Sequence, residues 1–528
     1  MKKRWDISQK SSYNIIMNKM VIRLLLFIIS SSLIFSQDNS YPVDLEVVSQ
    51  IREEGLNNSD LPNTLSYMTD VLGARLTNSD DMYRAQEWAV KKMQEIGLKN
   101  IEIEPFMDYG VSWDNTYFSL HLLEPDYQPM VGYPIAHTPG INGRQRLTVV
   151  RTNIKTKDDL EKYRGKLRGK AVLATPPPKI DQERYRNGTP RYTDDQLKEI
   201  SEKPFPKAPR GPRPPINPDL VSSEERNTFF KNEGVSVILE SRSGWIAAVR
   251  GFARPGAKKD KWDRKGTLNH LPIVAITPEH YNRMIRIVDR DIAVKIELEI
   301  KTKIGKSRRK ARNVLGEIAG SDKKDEIVML GAHFDTWHAS PNASDNTSGV
   351  AVMLEAIRIL KALDIKPRRT IRIALWSGEE QGLHGSREYV NKHFGNPNDP
   401  EIGEKDAYDK FSAYFNQDYG PGQYRGIYLQ DNEHVREVFT SWMKPFDDLG
   451  MTTIGSQSVG STDHIPFDRA GLPAFQFLQD RVGGTGGHTN LDFYDTIPIE
   501  DIKKNAVIVA SFVYHTAMLD QLLPKKKK

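Results

Sequence analysis

The spacing of apolar residues changes along the chain, and each change marks an element. In SDDMYRAQEWAVKKMQEIGLKN, Met82, Ala85, Trp88, Val90, Met93 and Ile96 recur near every third or fourth position. That spacing predicts a helix with one buried face, and Gly97 fits its C-terminal cap. The following IEIEPF alternates like a strand, and TYFSLHLLEP reads as a second one. Between about 125 and 300 the pattern turns to short β-rich runs, KAVLAT, VSVILES, GWIAAVRG and LPIVAIT, separated by turns. Pro176 to Pro218 is dense in Pro, Arg and Lys, a composition of extended surface chain that neither builds nor enters a core. After Asn313 strand and helix alternate. NVLGEIAG, EIVMLGAHFD, RTIRIALWS, GIYLQD and LPAFQFL read as strands. Val350, Leu354, Ile357 and Leu360 mark one helix, QGLHGSREYVNKHF a second, and Ile502 to Leu519 a closing one. This rhythm predicts an α/β fold with a mostly parallel sheet. The expected divisions are a leader over 1–36, an N-terminal part over 37–124, an inserted β-rich domain over 125–300 with the 176–218 loop, and the main α/β domain over 301–528. No internal repeat is present.

The leader reading rests on a basic stretch ending at Arg23, the apolar run LLLFIISSSLIF, and the small residue Ser36. That run is shorter than the roughly 20 residues needed to span a bilayer. Export to the periplasm or medium follows, with no stable membrane anchor after cleavage. Composition adds two limits. The chain has 528 residues and no cysteine, so thiolate metal sites, disulfides and cysteine nucleophiles are excluded. The formal charge of +6 lies almost wholly in the leader, where Lys2, Lys3, Arg4, Lys10, Lys19 and Arg23 face only Asp6. The remainder gives no electrostatic basis for binding nucleic acid. The terminal Lys525–Lys528 run reads as a solvated tail.

Candidate chemistry collects just past predicted strand ends: His333 with Asp335, Asp345, Glu379 with Glu380, Asp418, and His488. A single such packet is an ordinary polar contact. Together they form a set of imidazole and carboxylate donors, the ligands that divalent metals take at catalytic sites. No HExxH or GxSxG motif occurs, so a zincin and a serine hydrolase elbow have no support.

The ordered motifs HFDTW, SDNTSG, WSGEEQGLHGS, NQDYG, STDHIPF and HTNLD resemble those of the dinuclear zinc exopeptidases. This is the family that includes carboxypeptidase Q, glutamate carboxypeptidase II and bacterial leucyl aminopeptidases. The resemblance covers about 313–522 and extends weakly to LGARLTNSDD and the helix after it, nearest to carboxypeptidase Q. It implies a zinc-peptidase domain, a protease-associated-type insert over 125–300 that borders the active site, two zinc ions per chain, and short peptides as substrates. It implies His333 and Asp418 on one ion, Glu380 and His488 on the other, and Asp345 bridging. Glu379 would be the general base, and Asp335 would orient His333. His338 stands where carboxypeptidase Q has an acid and is not expected to be a ligand. Asp492 and Asp495 both remain candidates to support His488. Asp463 and His464 are expected to line the pocket, and Gly483, Gly484, Gly486 and Gly487 to form a loop or tight turn. Trp337 and the insert favour a carboxypeptidase or dipeptidase over an aminopeptidase with the same metals. Arg469 and Arg481 are the arginines nearest the motifs that could meet a substrate carboxylate. A non-catalytic receptor or scaffold is the reading from another class, and the filled ligand set argues against it. A homodimer is compatible with the sequence.

Overall fold

The computed structural model describes residues 41–183, 188–203, 217–254, 262–482 and 487–526. The leader expected over 1–36 lies outside the described residues. The helix expected near Met82 spans Asp80–Ile96. Ser79 caps it by accepting from the Met82 N–H, and Gly97 at φ +89° closes it. Its buried residues include Met82, Ala85, Ala89 and Met93. Among the described residues, the helices Leu45–Asn57 and Leu61–Ser66 and a π-helical turn, Tyr67–Leu72, precede it.

The runs IEIEPF and TYFSLHLLEP merge into one strand, β1 (Lys99–Glu124). It is long because its antiparallel partner β8 (Lys295–Ile318) follows it throughout, from Glu124↔Lys295 to Lys99↔Glu317. Between them in sequence come β2 (Gln128–Pro129), β3 (Gly132–Pro134), β4 (Gln145–Arg151), β5 (Ala171–Leu173), β6 (Val237–Glu240) and β7 (Ile273–Ile276). After β8 come β9 (Lys323–His333), β10 (Arg369–Trp376), a small hairpin of β11 (Gly395–Asn396) with β12 (Gly403–Glu404), β13 (Phe411–Asn416), β14 (Tyr424–Tyr428), β15 (Thr453–Gly455) and β16 (Ala474–Gln479).

All strands except the hairpin belong to one sheet of order β15-β14-β16-β13-β9-β10-β8-β4-β5-β6-β7-β3, with β1 on β8 and β2 on β1. The strands β16, β13, β9 and β10 are mutually parallel, as are β4 to β7. The strand β8 joins the two sets and is antiparallel to both. The sheet is thus mixed, with parallel centres. The 300/301 division falls inside β8, so the 125–300 block shares a strand with the 301–528 half, and Val43–Lys528 holds together as one unit.

GWIAAVRG is not a strand. Residues 241–250 form turns, with Ala247 at φ +63°. Its apolar residues instead serve a loop whose backbone is bonded to the segment carrying His488.

The strands β13 and β16 are buried along their whole length because helices cover both faces. Ser348–Ala362 and Ile499–Met518 pack together. The helices His384–His393 and His464–Arg469 enclose an aromatic cluster that includes Trp376, Tyr389, Phe394, Phe411, Tyr414 and Phe467. The start of the lysine tail is docked, contrary to expectation. Lys525 bonds Asp409 at 2.9 Å and lies 3.9 Å above the Tyr408 ring centre, and Lys526 meets Asp468 at 2.5 Å. Asp468 is largely buried, so a cation there offsets its desolvation.

Candidate metal centre

The sheet register brings the candidate packets together. His333 ends β9 opposite Trp376, the last residue of β10, and Gly331 of β9 pairs with Asn416 of β13. The turn with Glu379 and Glu380 follows β10, and Asp418 lies two residues past β13. The chain leaves β9 for β10 on one side, while β13 flanks it on the other. Sites in open α/β sheets form at such a reversal of strand order. Asp345 comes from the turn Ala343–Thr347 that enters the helix Ser348–Ala362.

Seven of the sequence candidates meet here. His333 Nε2 lies 3.1 Å from Asp418 Oδ1 and 3.2 Å from Asp345 Oδ1. His488 Nε2 lies 3.1 Å from Asp345 Oδ2 and 2.8 Å from Glu380 Oε2. The two oxygens of Asp345 therefore face different imidazoles. Donor atoms of His333, Glu379 and Asp418 lie within 4.8 Å of one another, as do those of Asp345, Glu380 and His488. Asp335 is fully buried behind them.

The electrostatics are those of a site short of positive charge. Burial pushes the Glu380 carboxyl up to about 7, and Asp345 adds to the shift. Burial also raises Glu379 well above the carboxylate range, with Asp418, Asp463 and Glu380 contributing against His333. Burial disfavours charge on His488, yet Asp345 and Glu380 raise it to about 10. His333 is raised in the same way, chiefly by Asp418 and Glu379 against burial. Glu380 Oε1 is buried with no hydrogen-bond partner among the described residues. Crowded acids, imidazoles aimed at them and an unsatisfied carboxylate oxygen fit divalent metal, which would replace the protons this cluster otherwise retains.

The supports differ in part from expectation. His333 Nδ1 bonds the main-chain oxygen of Asp335 at 2.8 Å, while the Asp335 carboxylate is 4.0 Å away. That carboxylate instead accepts from the N–H groups of Glu379 and Glu380 at 3.2 and 3.3 Å and from the Thr77 hydroxyl at 2.9 Å. It orients the glutamate turn, because adjacent amides after β10 point at it. Arg75, also buried, donates to Phe334 O and to the Thr347 hydroxyl, tying the ends of β9 and the Asp345 turn together. Trp337 Nε1 donates to Glu380 Oε2 at 2.8 Å.

Of the two acids after His488, Asp492 is buried and Asp495 is exposed. Asp492 accepts from the Ser344 N–H and hydroxyl, both at 2.8 Å, so it fixes the Asp345 turn. The neighbour of His488 Nδ1 is Arg250 Nη2 at 3.4 Å. Backbone bonds from Gly251 N to His488 O and from Asn490 N to Val249 O hold the two loops together. His488 itself sits at φ +65°. Gly487 must be small, since a Cβ there would lie 1.9 Å from Asp345 Oδ2. The other three glycines, Gly483, Gly484 and Gly486, lie outside the described residues.

Asp463 and His464 do not line the cavity. They begin a buried helix, where Ser386 donates to Asp463 at 2.5 Å and His464 Nε2 bonds Val459 O at 3.1 Å. Burial raises Asp463 to about 8. His338 is buried away from the cluster, with Nε2 on Pro134 O at 2.6 Å, as a non-ligand should be. Thr77, Arg75 and Arg250 carry no signal in the sequence beyond the LGARLTN segment that holds the first two.

The cluster opens into a cavity of about 600 Å3. Asp345, Glu379, Glu380, Asp418 and Asp492 lie on its lining, and so does Arg481. The Arg481 guanidinium sits 4.9 Å above the Tyr419 ring centre and pairs with no carboxylate among the described residues. Arg469 is not part of this lining.

Comparison with known proteins agrees with the geometry. Residues 313–513 match the model of Peptidase family M28. Carboxypeptidase Q of Pongo abelii is 23% identical over 466 residues, covering 87% of this chain and 86% of that protein. The crystal structure of a peptidase M28 precursor from Shewanella amazonensis superposes with a TM-score of 0.65 at 23% identity, over 92% of this chain and 99% of that one. A zinc aminopeptidase from Bacillus subtilis superposes at 0.54 with 17% identity, over 87% and 95%. At such identities the structural likeness speaks to the fold.

Proposed function

We propose, on the premise that this chain belongs to peptidase family M28, that it is an exported two-zinc exopeptidase acting on short peptides with a free C-terminus. His333 and Asp418 would hold one ion, Glu380 and His488 the other, and Asp345 both. When bound, the ions supply Lewis acidity to the peptide carbonyl and to the attacking water.

The chain's own groups supply the rest. The Glu379 carboxylate makes no side-chain hydrogen bond among the described residues, and it accepts the proton that the water loses. It then returns that proton to the departing amine nitrogen. Asp335 holds the Glu379–Glu380 turn through two N–H groups, which keeps the base in reach while its neighbour serves as ligand. Trp337 fixes Glu380 from the other side.

The observation that carries the choice of substrate end is the polarity of the cavity. Its acids gather at the metal cluster, and Arg481 stands in the wall with a guanidinium free to form a forked pair with a terminal carboxylate. The resemblance to carboxypeptidase Q supports the same reading. The test compares an N-acetylated dipeptide having a free carboxylate with a dipeptide amide having a free amine. Hydrolysis of the first is expected. Hydrolysis of the amide alone would make the enzyme an aminopeptidase.

The 125–300 block is read as the protease-associated-type insert, bordering the site through its 247–251 loop. Export is read from the basic and apolar leader. Among the described residues no helix is long and apolar enough to cross a membrane.

A further inference from the structure

One described part of the chain between β5 and the helix Ser223–Asn232 does not stay with the neighbouring strands. Residues 188–203 cross to the strands that carry the site. Arg191 Nη1 lies 2.6 Å from Asp501 Oδ2 and 3.2 Å from Asp480 Oδ2, and the Tyr192 N–H donates to Asp480 Oδ1 at 3.0 Å. The Asp480 side chain is 0% exposed and also faces Arg425 at 3.4 Å. A buried carboxylate needs such partners, so this contact is built into the fold.

The helix Asp194–Glu202 follows. Thr193 and Gln196 cap it reciprocally, and it lies along β15. Leu197 is 5% exposed and packs in a cluster with Tyr428 and Leu478, flanked by Tyr192, Ile200 and Tyr419. The composition of 176–218 suggested exposed chain throughout, but this part buries an apolar face against the catalytic half. Both ends of the contact reach the substrate cavity. Thr189 lines it, and so does Arg481, the residue after Asp480.

We propose that residues 188–203 form a fixed strap that walls one side of the substrate cavity and limits the length of peptide it admits, with Arg191 on Asp480 and Asp501 as its pin. This rests on the exopeptidase reading above. The cavity of about 600 Å3 falls in the size range of small-ligand clefts, roughly 300–1,000 Å3. A longer chain must pass Thr189, which the pinned segment holds in the wall. The ligand set fixes the chemistry of hydrolysis, and the strap fixes which peptides reach it.

The experiment measures kcat/KM on an N-acetylated dipeptide and an N-acetylated hexapeptide that share the same terminal bond. It uses the metal-loaded full chain and the variants Arg191→Ala and Leu197→Asp. Trypsin cleavage after Lys198, read by mass spectrometry, reports release of the strap. The parent should strongly favour the dipeptide. Either variant should be cut faster at Lys198 and should raise the hexapeptide-to-dipeptide ratio by about tenfold, with dipeptide turnover little changed. Faster cutting with an unmoved ratio overturns the proposal. So does a parent that hydrolyses both lengths equally, although the exopeptidase reading would then stand. If neither variant is cut faster, Arg191 and Leu197 are not what holds the segment, and the pin is wrong. A parent that cleaves interior bonds of doubly blocked peptides overturns the exopeptidase reading and the strap with it.

Discussion

Replacing Thr77 with valine removes one hydroxyl about the size of a methyl group and leaves the packing intact. That hydroxyl donates to Asp335 Oδ2 at 2.9 Å between two side chains that are essentially unexposed. Water cannot take its place, so Asp335 keeps only the N–H groups of Glu379 and Glu380, at 3.2 and 3.3 Å. A hydrogen bond to a charged group contributes about 1.5–3 kcal/mol. The loss divides between stability and the placement of Glu379. If all of it fell on the transition state, kcat would drop roughly 10- to 150-fold, since about 1.4 kcal/mol is a factor of ten. We expect kcat to fall within that limit with KM nearly constant, because Thr77 touches the turn and not the substrate cavity. Burial already raises the proton affinity of Asp335, and the hydroxyl opposes that shift. Its removal should therefore make the defect deepen toward acid pH. Thr77→Ser keeps the donor and should restore most of the rate. Steady-state kinetics on an N-acetylated dipeptide, with denaturant unfolding of the same samples, separates the two shares. Full kcat alongside the whole stability loss would show that Asp335 positions the glutamate turn without Thr77, and the argument would fail.

Glu379→Gln should retain two metal ions by elemental analysis while turnover falls by roughly 10²- to 10⁴-fold or more; metal loss at near-normal rate would exchange the roles of Glu379 and Glu380. In the chelated protein, Glu380 at about 7, Asp492 at about 7 and His488 at about 10 all bind protons more tightly than in the unfolded chain. Their stabilisation is complete below the unfolded pKa values and is lost as pH rises through the folded ones. The chelated protein should accordingly lose stability from about pH 4, through Asp492 and Glu380, to about pH 10, through His488, and melting that is flat with pH, or that rises, would contradict the charge balance of the site. N-terminal sequencing of the mature protein should begin near Gln37; an intact Met1 or Met20 start in a cytosolic fraction would remove the export reading.

The catalytic half was legible because its signals are local. An apolar run followed within a few residues by His333, Asp345, Glu379 or Asp418 defines both a strand and what sits at its end, and parallel pairing does the rest. The helix Asp80–Ile96 was legible from Ser79, Gly97 and its buried stripe. Contacts between distant segments were not. Thr77 reaches Asp335 across 258 positions, and Arg250 reaches His488 across 238. Neither leaves a periodic trace. GWIAAVRG has strand composition, but its backbone is spent on the His488 segment. The sequence also could not say whether Asp335 would use its carbonyl or its carboxylate, since both lie within reach of a neighbour and only the turn after β10 decides. Leu197 and Ile200 gave a short apolar face within a polar stretch, and proline content outweighed it.

The long pairing of β1 with β8 sets an order of events for the nascent chain. Glu124 and Lys295 are partners separated by 171 positions. The ribosome therefore releases β1 well before the strand that will cover its edge, and the whole 125–300 block emerges in between. Closing so large a loop is slow, and an uncovered edge invites pairing with other chains. A block that contributes none of the proposed ligands thus decides when the catalytic sheet can be completed. In a shortened chain lacking 125–300, residues 118–124 of β1 would have no strand opposite them. Such a chain should aggregate during synthesis even with every residue of the metal cluster in place.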